Sequence, residues 1–332
     1  MLVPVLLFLV GLLLLIKGGD WFVDGATGIA SRFHLPELLI GATIVSIGTT
    51  LPEVMVSATS ALGGHSEIAY GNAIGSVICN AALIAAITIA VRPGRVVRKS
   101  LIMPVCFYFI SAVFYAGNAY MRGSFSRPAG VFLLLLFLIY MILTVRQMTR
   151  DKASDLTNTA EQANAAAKRE SAQKESVAKN TGGKADSLLK EIALLILGAV
   201  LIAIGADLLV DNGTLIAEAM GVPESVIALT FVALGTSLPE LVTAITSLIK
   251  GHGALSLGNV IGANLFNLVL VSGISITLSP FEIPVSSTLF GYNASLVLDI
   301  PVMFSVMMIL TIPALWKERL YRSQGILLLV IY

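Results

Sequence analysis

The chain has 332 residues, of which 56% are apolar and 12% charged, with a mean hydropathy of +0.90. That balance excludes an ordinary soluble domain. A formal net charge of +1 points to no acidic partner, and no nucleic-acid partner is expected. Runs such as Met1–Ile16, Val131–Val145 and Ile192–Ile204 read as parts of membrane helices, each of which needs about 20 residues to span. No basic residue precedes the first run and no small-residue cleavage site follows it, so it is expected to stay as a helix. Cys79 and Cys106 lie in apolar segments and suggest neither a disulfide framework nor a thiolate metal cluster.

Taken in chain order, apolar runs and their breakers predict ten helices, at roughly 2–29, 36–62, 67–91, 100–119 and 128–147, then roughly 188–216, 223–249, 254–278, 297–315 and 322 onward. The last run is short: Gly325–Tyr332 covers about 12 Å of helix. It is expected either to draw on Leu320–Ser323 or to continue past Tyr332. Between the halves, Arg146–Lys190 is rich in Ala, Ser, Asn, Gln, Lys and Glu. It cannot bury a core and reads as a mobile linker with some Ala-rich helix around Thr159–Lys179, too short for a folded regulatory domain. The division is therefore a first half at 1–147, a hydrophilic linker at 148–187 and a second half at 188–332.

Lysine and arginine are distributed unevenly. With the N-terminus outside, 18 of the 21 fall in inside loops or the linker, and only Arg122 and Arg127 in outside loops. Basic loops stay cytoplasmic, so this bias places the linker in the cytoplasm and the N-terminus outside, in a plasma (inner) membrane. Five helices per half, an odd number, turn the second half upside down relative to the first.

The halves also repeat in sequence. With a shift of 187, Gly41–Asn80 lies on Ala228–Asn267 without a gap, and 16 of 40 positions are identical by direct count. The matches include Gly48/Gly235, Thr49/Thr236, Pro52/Pro239, Glu53/Glu240, Gly71/Gly258, Asn72/Asn259, Gly75/Gly262 and Asn80/Asn267. Inverted membrane repeats point to transporters whose site lies at the repeat interface near the midplane. The predicted fold class is an all-α polytopic membrane protein, with ten transmembrane helices in two inverted-topology five-helix repeats.

GTTLPE (Gly48–Glu53) and GTSLPE (Gly235–Glu240) put polar residues where the chain most needs clean helix. Pro52 has no amide hydrogen for the Gly48 carbonyl, and Pro239 has none for Gly235. A break or kink is expected at both, leaving carbonyls that in a bilayer are tolerated only where protein, water or an ion satisfies them. Glu53 and Glu240 follow at once, with Thr49, Thr50 and Thr236 beside them. Two such oxygen-lined half-cages fit calcium, which takes about 6–8 oxygens, and two carboxylates neutralise one divalent or two monovalent cations. Neither motif holds the histidine or cysteine of a zinc or copper site. GNAIGSVICN and GNVIGANLFN (Gly71–Asn80, Gly258–Asn267) add small residues for close helix approach. They also bring Asn80 and Asn267 within reach of an ion or its water, with Ser76 on the same face as Asn80.

These paired segments resemble the two alpha repeats of the cation/calcium antiporter superfamily, specifically the sodium/calcium exchanger family of bacterial and archaeal type, related to the potassium-dependent exchangers. The resemblance runs through nearly all ten helices and is weakest at the linker and last helix. It implies that Glu53 and Glu240 bind calcium and sodium, and that Thr49 and Thr236 contribute oxygens. It further implies that Ser46, Thr50, Ser76, Ala233 (through its carbonyl) and Ser237 line sodium sites, with Asn80 and Asn267 flanking the centre. Relatives often carry Asp at the place of Asn267, serine at Ala263 and asparagine at Val77. The first departure bears on potassium and the second on sodium coupling.

Other polar residues have plainer readings. Asn72 and Asn259 read as structural. Asp20, Asp24, Asp207 and Asp211 read as interface-solvated or capping groups near helix ends. His65 and His252 each follow a glycine and read as hairpin turns, and Asp299 reads as the N-cap of the ninth helix. The expected function is antiport of Ca2+ against Na+ by alternating access at the Glu53/Glu240 centre. The alternative is calcium/proton exchange with the same glutamates as proton carriers. An enzyme is not expected: no HExxH motif or serine–base pairing occurs, and no basic residue lies near the glutamates to hold a phosphate. No cofactor beyond the transported ions and no obligatory protein partner is expected; the surroundings are the lipid bilayer.

Overall fold

The computed structural model describes residues 2–169, 184–221, 235–284, 288–289 and 291–332. Among the described residues the regular structure is helical apart from four two-residue strands. The first half holds α1 (Leu2–Phe33), α2 (Glu37–Leu62), α3 (Ser66–Val91), α4 (Arg98–Arg122) and α5 (Arg127–Arg169). The second holds α6 (Lys184–Ala219), α7 (Leu238–Ile249), α8 (Gly253–Leu278), α9 (Ser295–Lys317) and α10 (Arg322–Ile331). Eight are long and apolar enough to cross a membrane, and α7 and α10 are shorter apolar helices. This is a multi-pass membrane protein. The expected first part of the seventh helix lies outside the described residues, as does the middle of the linker. Where the linker is described it is more helical than expected, because α5 continues unbroken to Arg169.

Inverted symmetry shows in reciprocal packing. A methyl built on Gly11 of α1 would lie 2.9 Å from the Gly205 carbonyl oxygen of α6, and one on Gly18 would lie 2.9 Å from that of Gly198. Gly11 and Gly198 are equivalent under the 187-residue shift, as are Gly18 and Gly205, so the two contacts are one contact made twice. At the other ends of the halves, Gly130 of α5 packs on Gly273 and Thr277 of α8, while Gly325 of α10 packs on Ala86 and Ala90 of α3. Ala86 and Ala90 are the repeat equivalents of Gly273 and Thr277. Small residues let these backbones meet where lipid supplies no hydrophobic drive.

The connections follow the same rule. Strand β1 (Ser124–Phe125), between α4 and α5, pairs antiparallel with β2 (Phe281–Glu282), between α8 and α9, in the register Ser124↔Glu282 and Phe125↔Phe281. From the other end of α4, the α3–α4 connection meets the α9–α10 connection through an antiparallel bridge at Arg95↔Arg319. Strands β3 (Thr288–Leu289) and β4 (Tyr292–Asn293) form a separate hairpin. The two hairpins that flank the repeat motifs match in detail: Gly64 and Gly251 have φ of +81° and +91°. His65 and His252 return amide bonds of 2.8 and 2.7 Å to Ser60 and Ser247. Glycine takes that left-handed turn at no steric cost, which agrees with the turn reading of both histidines.

α8 is buried along most of its length, whereas α1 and α6 show most of their surface to the surroundings. One predicted cap is different: α9 begins at Ser295, so Asp299 lies inside the helix at φ −62°, ψ −51° with no capping bond. The cap is Asn293, whose Oδ1 accepts the Ser295 amide at 2.9 Å. An Asx residue two positions ahead of a helix does this local work readily.

Candidate functional site

Glu53 lies on α2 and Glu240 on α7, and both are fully buried. Of the expected break or kink, an outright interruption of the helix occurs in only one repeat. In the first, helix runs from Ser46 to Leu62 with Pro52 inside it. In the second, the chain turns at Thr236–Ser237 and α7 starts anew with Pro239 in its first turn. A proline costs a helix one hydrogen bond and some bend, yet it is well placed in a first turn. The same Leu-Pro-Glu can therefore sit within one helix and open another. In both repeats the proline withholds a donor, from the Gly48 and the Gly235 carbonyls.

Sequence reasoning missed a second device, the π-helical turn. α2 contains one at Gly41–Val45, α3 at Asn80–Ala85 and α8 at Asn267–Val271. The last two begin at equivalent residues, which are the two predicted site asparagines. Such turns free backbone groups and recur at functional sites. Some of these groups are answered: Ser46 Oγ donates to the Gly41 carbonyl at 2.7 Å, Tyr140 of α5 to Ala42 at 2.8 Å, and Ser272 to Asn267 at 3.0 Å. Apolar periodicity carries no trace of a π turn; the only sequence signal is an asparagine repeated in register inside an apolar helix.

The predicted residues do converge. Thr50 Oγ1 on α2 donates to Glu240 Oε1 on α7 at 3.5 Å, across the two repeats. Thr49 Oγ1 donates to Asn259 Oδ1 at 3.2 Å, and Ser46 Oγ to the Asn259 carbonyl at 2.9 Å. Asn72 Nδ2 donates to the Glu53 carbonyl at 3.1 Å and to Ser57 at 2.8 Å. The structural reading of Asn72 and Asn259 is thus supported, with different tasks: Asn72 fastens α3 to α2 within one half, and Asn259 fastens α8 to α2 across the halves. Ser76 is buried on α3, while Thr236 is half-buried at the turn. Ala233 lies outside the described residues.

Several buried polar atoms at this place have no hydrogen-bond partner among the described residues. They include both Glu53 oxygens, Glu240 Oε2, Ser237 Oγ, and the side-chain oxygen and nitrogen of both Asn80 and Asn267. Such groups are normally paired, and each orphan costs about 1–3 kcal/mol or more. Orphaned oxygens together with two buried carboxylates are chemically able to ligate a hard cation. Among the described residues no group of three or more His, Cys, Asp or Glu gathers to hold a metal.

The family model described as sodium/calcium exchanger protein matches residues 3–146 and again 190–332. The chain belongs to the sodium/calcium exchanger family. Among its relatives, Inner membrane protein YrbG of Escherichia coli is 35% identical over 90% of this chain and 87% of its own. Sodium/calcium exchanger MaX1 of Methanosarcina acetivorans is 31% identical over 98% of this chain and 95% of its own. A solved structure of the sodium-calcium exchanger NCX_Mj, soaked with Na+ and Sr2+, has a TM-score of 0.77 and 31% identity, covering 100% of this chain and 97% of that one. The fold of this family member is therefore the all-helical exchanger fold, with its two halves recognised separately.

The charged residues of the long helices do more than expected. Asp20 and Asp24 lie well inside α1, and Lys250 after α7 reaches both, at 3.4 and 2.8 Å. They are partly solvated, in keeping with the interface reading, and also bridge to Lys250, which that reading did not include. Likewise His252 Nδ1 lies 2.8 Å from Glu37 Oε1, a cross-repeat contact beyond the turn role.

Proposed function

We propose that the protein is a secondary antiporter that exchanges Ca2+ for Na+ by alternating access at the Glu53/Glu240 centre. The observation that carries this reading is the pair of fully buried, facing-repeat carboxylates with orphaned oxygens. Each costs about 2.5–3.5 kcal/mol at mid-membrane on the insertion scale, a cost that a divalent cation or two sodium ions would offset. Thr49, Thr236, Asn80 and Asn267 supply further oxygens. Ser46, Thr50, Ser76, Ala233 and Ser237 line the sodium positions. The relatives named as sodium/calcium exchangers favour sodium over protons as the counter-ion. The halves 1–147 and 188–332 act as the inverted repeats, joined by a cytoplasmic linker at 148–187, in a plasma membrane with the N-terminus outside.

The chemistry of coupling follows from charge. With an ion bound, the centre is neutral and the core formed by α2, α3, α7 and α8 can shift against the exposed α1–α6 pair. With two bare carboxylates, moving the centre through low dielectric costs several kcal/mol per charge, so the empty carrier stays put and net uniport is suppressed.

The test is calcium uptake into proteoliposomes at clamped voltage, with outward sodium and proton gradients imposed separately. Uptake driven by sodium and abolished by Glu53→Gln or Glu240→Gln is the expected result. Uptake driven by protons alone would move the protein to calcium/proton exchange at the same site. Robust calcium movement with no counter-ion would overturn the antiport reading.

A further inference from the structure

We propose that the protein holds a phosphate-type anion in a cavity where the α3–α4, α7–α8 and α9–α10 connections meet, apart from the carboxylate centre. The cavity has a volume of about 240 Å³, and its lining includes Arg92, Arg95, Gly94, Gly251, Gly253 and Ser256. Among the described residues, that lining holds two arginines and no aspartate or glutamate. Glu37 is engaged with His252, and Asp20 and Asp24 with Lys250; Glu318, in the adjoining α9–α10 connection, is outside that lining and meets Val96 through its backbone carbonyl.

The walls are built for an anion by independent means. α8 begins at Gly253, and its first amides have no carbonyl four residues back to take them. Its N-cap residue His252 makes no side-chain cap bond, because the imidazole is drawn away to Glu37 at 2.8 Å. The positive end of the helix dipole is left open toward the cavity. One turn further, the buried Ser256 hydroxyl has no partner among the described residues. Arg92 is steadied by a 3.1 Å bond from Nη1 to the Leu248 carbonyl. Arg95 is held through its backbone, in a bridge to Arg319 flanked by Val96 N–Glu318 O at 2.9 Å and Leu320 N–Gly94 O at 2.8 Å. A Cβ added at Gly94, Gly251 or Gly253 would meet nothing within 4 Å, so bare backbone borders open room on three sides.

Guanidinium forks match the oxygens of a tetrahedral phosphate and bind it bidentately. The volume falls below the about 300 Å³ at which drug-sized sites begin and is ample for a single phosphate group. That chemistry is shared by free phosphate and by the headgroup of an anionic phospholipid. Both repeats contribute walls, so the bound anion would pin them together at this face. The inference does not rest on the transported ion, and binding reports on it directly.

The experiment measures binding to the full chain in neutral nanodiscs, by calorimetry with inorganic phosphate, and separately by melting in nanodiscs that contain phosphatidylglycerol or only phosphatidylcholine. Saturable binding of phosphate identifies the free anion, and a rise in melting temperature specific to phosphatidylglycerol identifies the headgroup; either supports the site. Arg92→Gln/Arg95→Gln should weaken that response at least tenfold, while Arg122→Gln/Arg127→Gln leaves it unchanged. Should the first double variant fold poorly, Arg95→Gln alone, which keeps the backbone bridge, must still weaken it several-fold. No response to either probe, or full response in the Arg95→Gln protein, overturns the proposal.

Discussion

The side-chain amide of Gln324 on α10 donates to the Ile309 carbonyl of α9 at 2.7 Å and to the Leu310 carbonyl at 2.8 Å. Pro313 lies four residues after Ile309 within α9 and offers it no amide hydrogen. A neighbouring helix thus supplies the donor that the proline removes, which is how membrane helices tolerate proline. Replacing Gln324 by Leu should destabilise the protein by about 1–3 kcal/mol, the cost of a buried orphaned acceptor. In a Pro313→Ala background, where the α9 amide is restored, the same change should cost clearly less. Thermal melting of the four proteins in a double-mutant cycle reads the difference.

At the carboxylate centre, neutralising one group removes an uncompensated buried charge. Without cations, Glu53→Gln and Glu240→Gln should therefore melt at or above the temperature of the parent. The parent should gain about 2.7 kcal/mol of stability at a calcium concentration 100 times its Kd, and the variants should gain little. Melting curves with and without calcium give both halves of this prediction; a variant that loses stability in the absence of calcium contradicts it.

The α2–α8 crossing should tolerate no added side chain. A methyl on Gly258 would lie 2.2 Å from the Leu38 carbonyl oxygen, and one on Gly262 would lie 2.6 Å from the Ala42 Cα. These contacts are with backbone, so the helices must separate. Gly258→Ala is expected to cost more than about 2 kcal/mol, in the upper part of the usual range for overpacking. Gly117 of α4 borders an open cavity and has nothing within 4 Å. Gly117→Ala should be neutral or stabilising by up to about 1 kcal/mol, from helix propensity. Expression and melting of the pair separate packing from propensity.

Lys250 joins the α7–α8 hairpin to Asp20 and Asp24 of α1, yet these side chains are partly open to solvent, at 23%, 37% and 54%. Exposed pairs of this kind contribute about 0–1 kcal/mol. Lys250→Met should shift the melting temperature slightly, and the shift should shrink further in high salt.

Much of this molecule is legible in its one-dimensional text. The bilayer imposes long apolar runs, and the 187-residue repeat in register exposes both the inverted architecture and the Glu53/Glu240 pair, since a carboxylate inside an apolar helix is too costly to recur without use. Local turn chemistry was equally open: Gly64 and Gly251 precede histidines in both hairpins because only glycine takes the left-handed turn cheaply. What only the tertiary structure decided depends on neighbours distant in sequence. The π turns at Asn80 and Asn267 leave no mark on periodicity. Leu-Pro-Glu continues one helix and starts another, because proline permits both and packing selects. Asp20, Asp24 and Glu37 take partners more than 200 residues away, and Gln324 answers a carbonyl that a proline on another helix set free. Repetition within a chain survives translation into text; the pairing of orphaned polar groups across helices exists only once the helices meet.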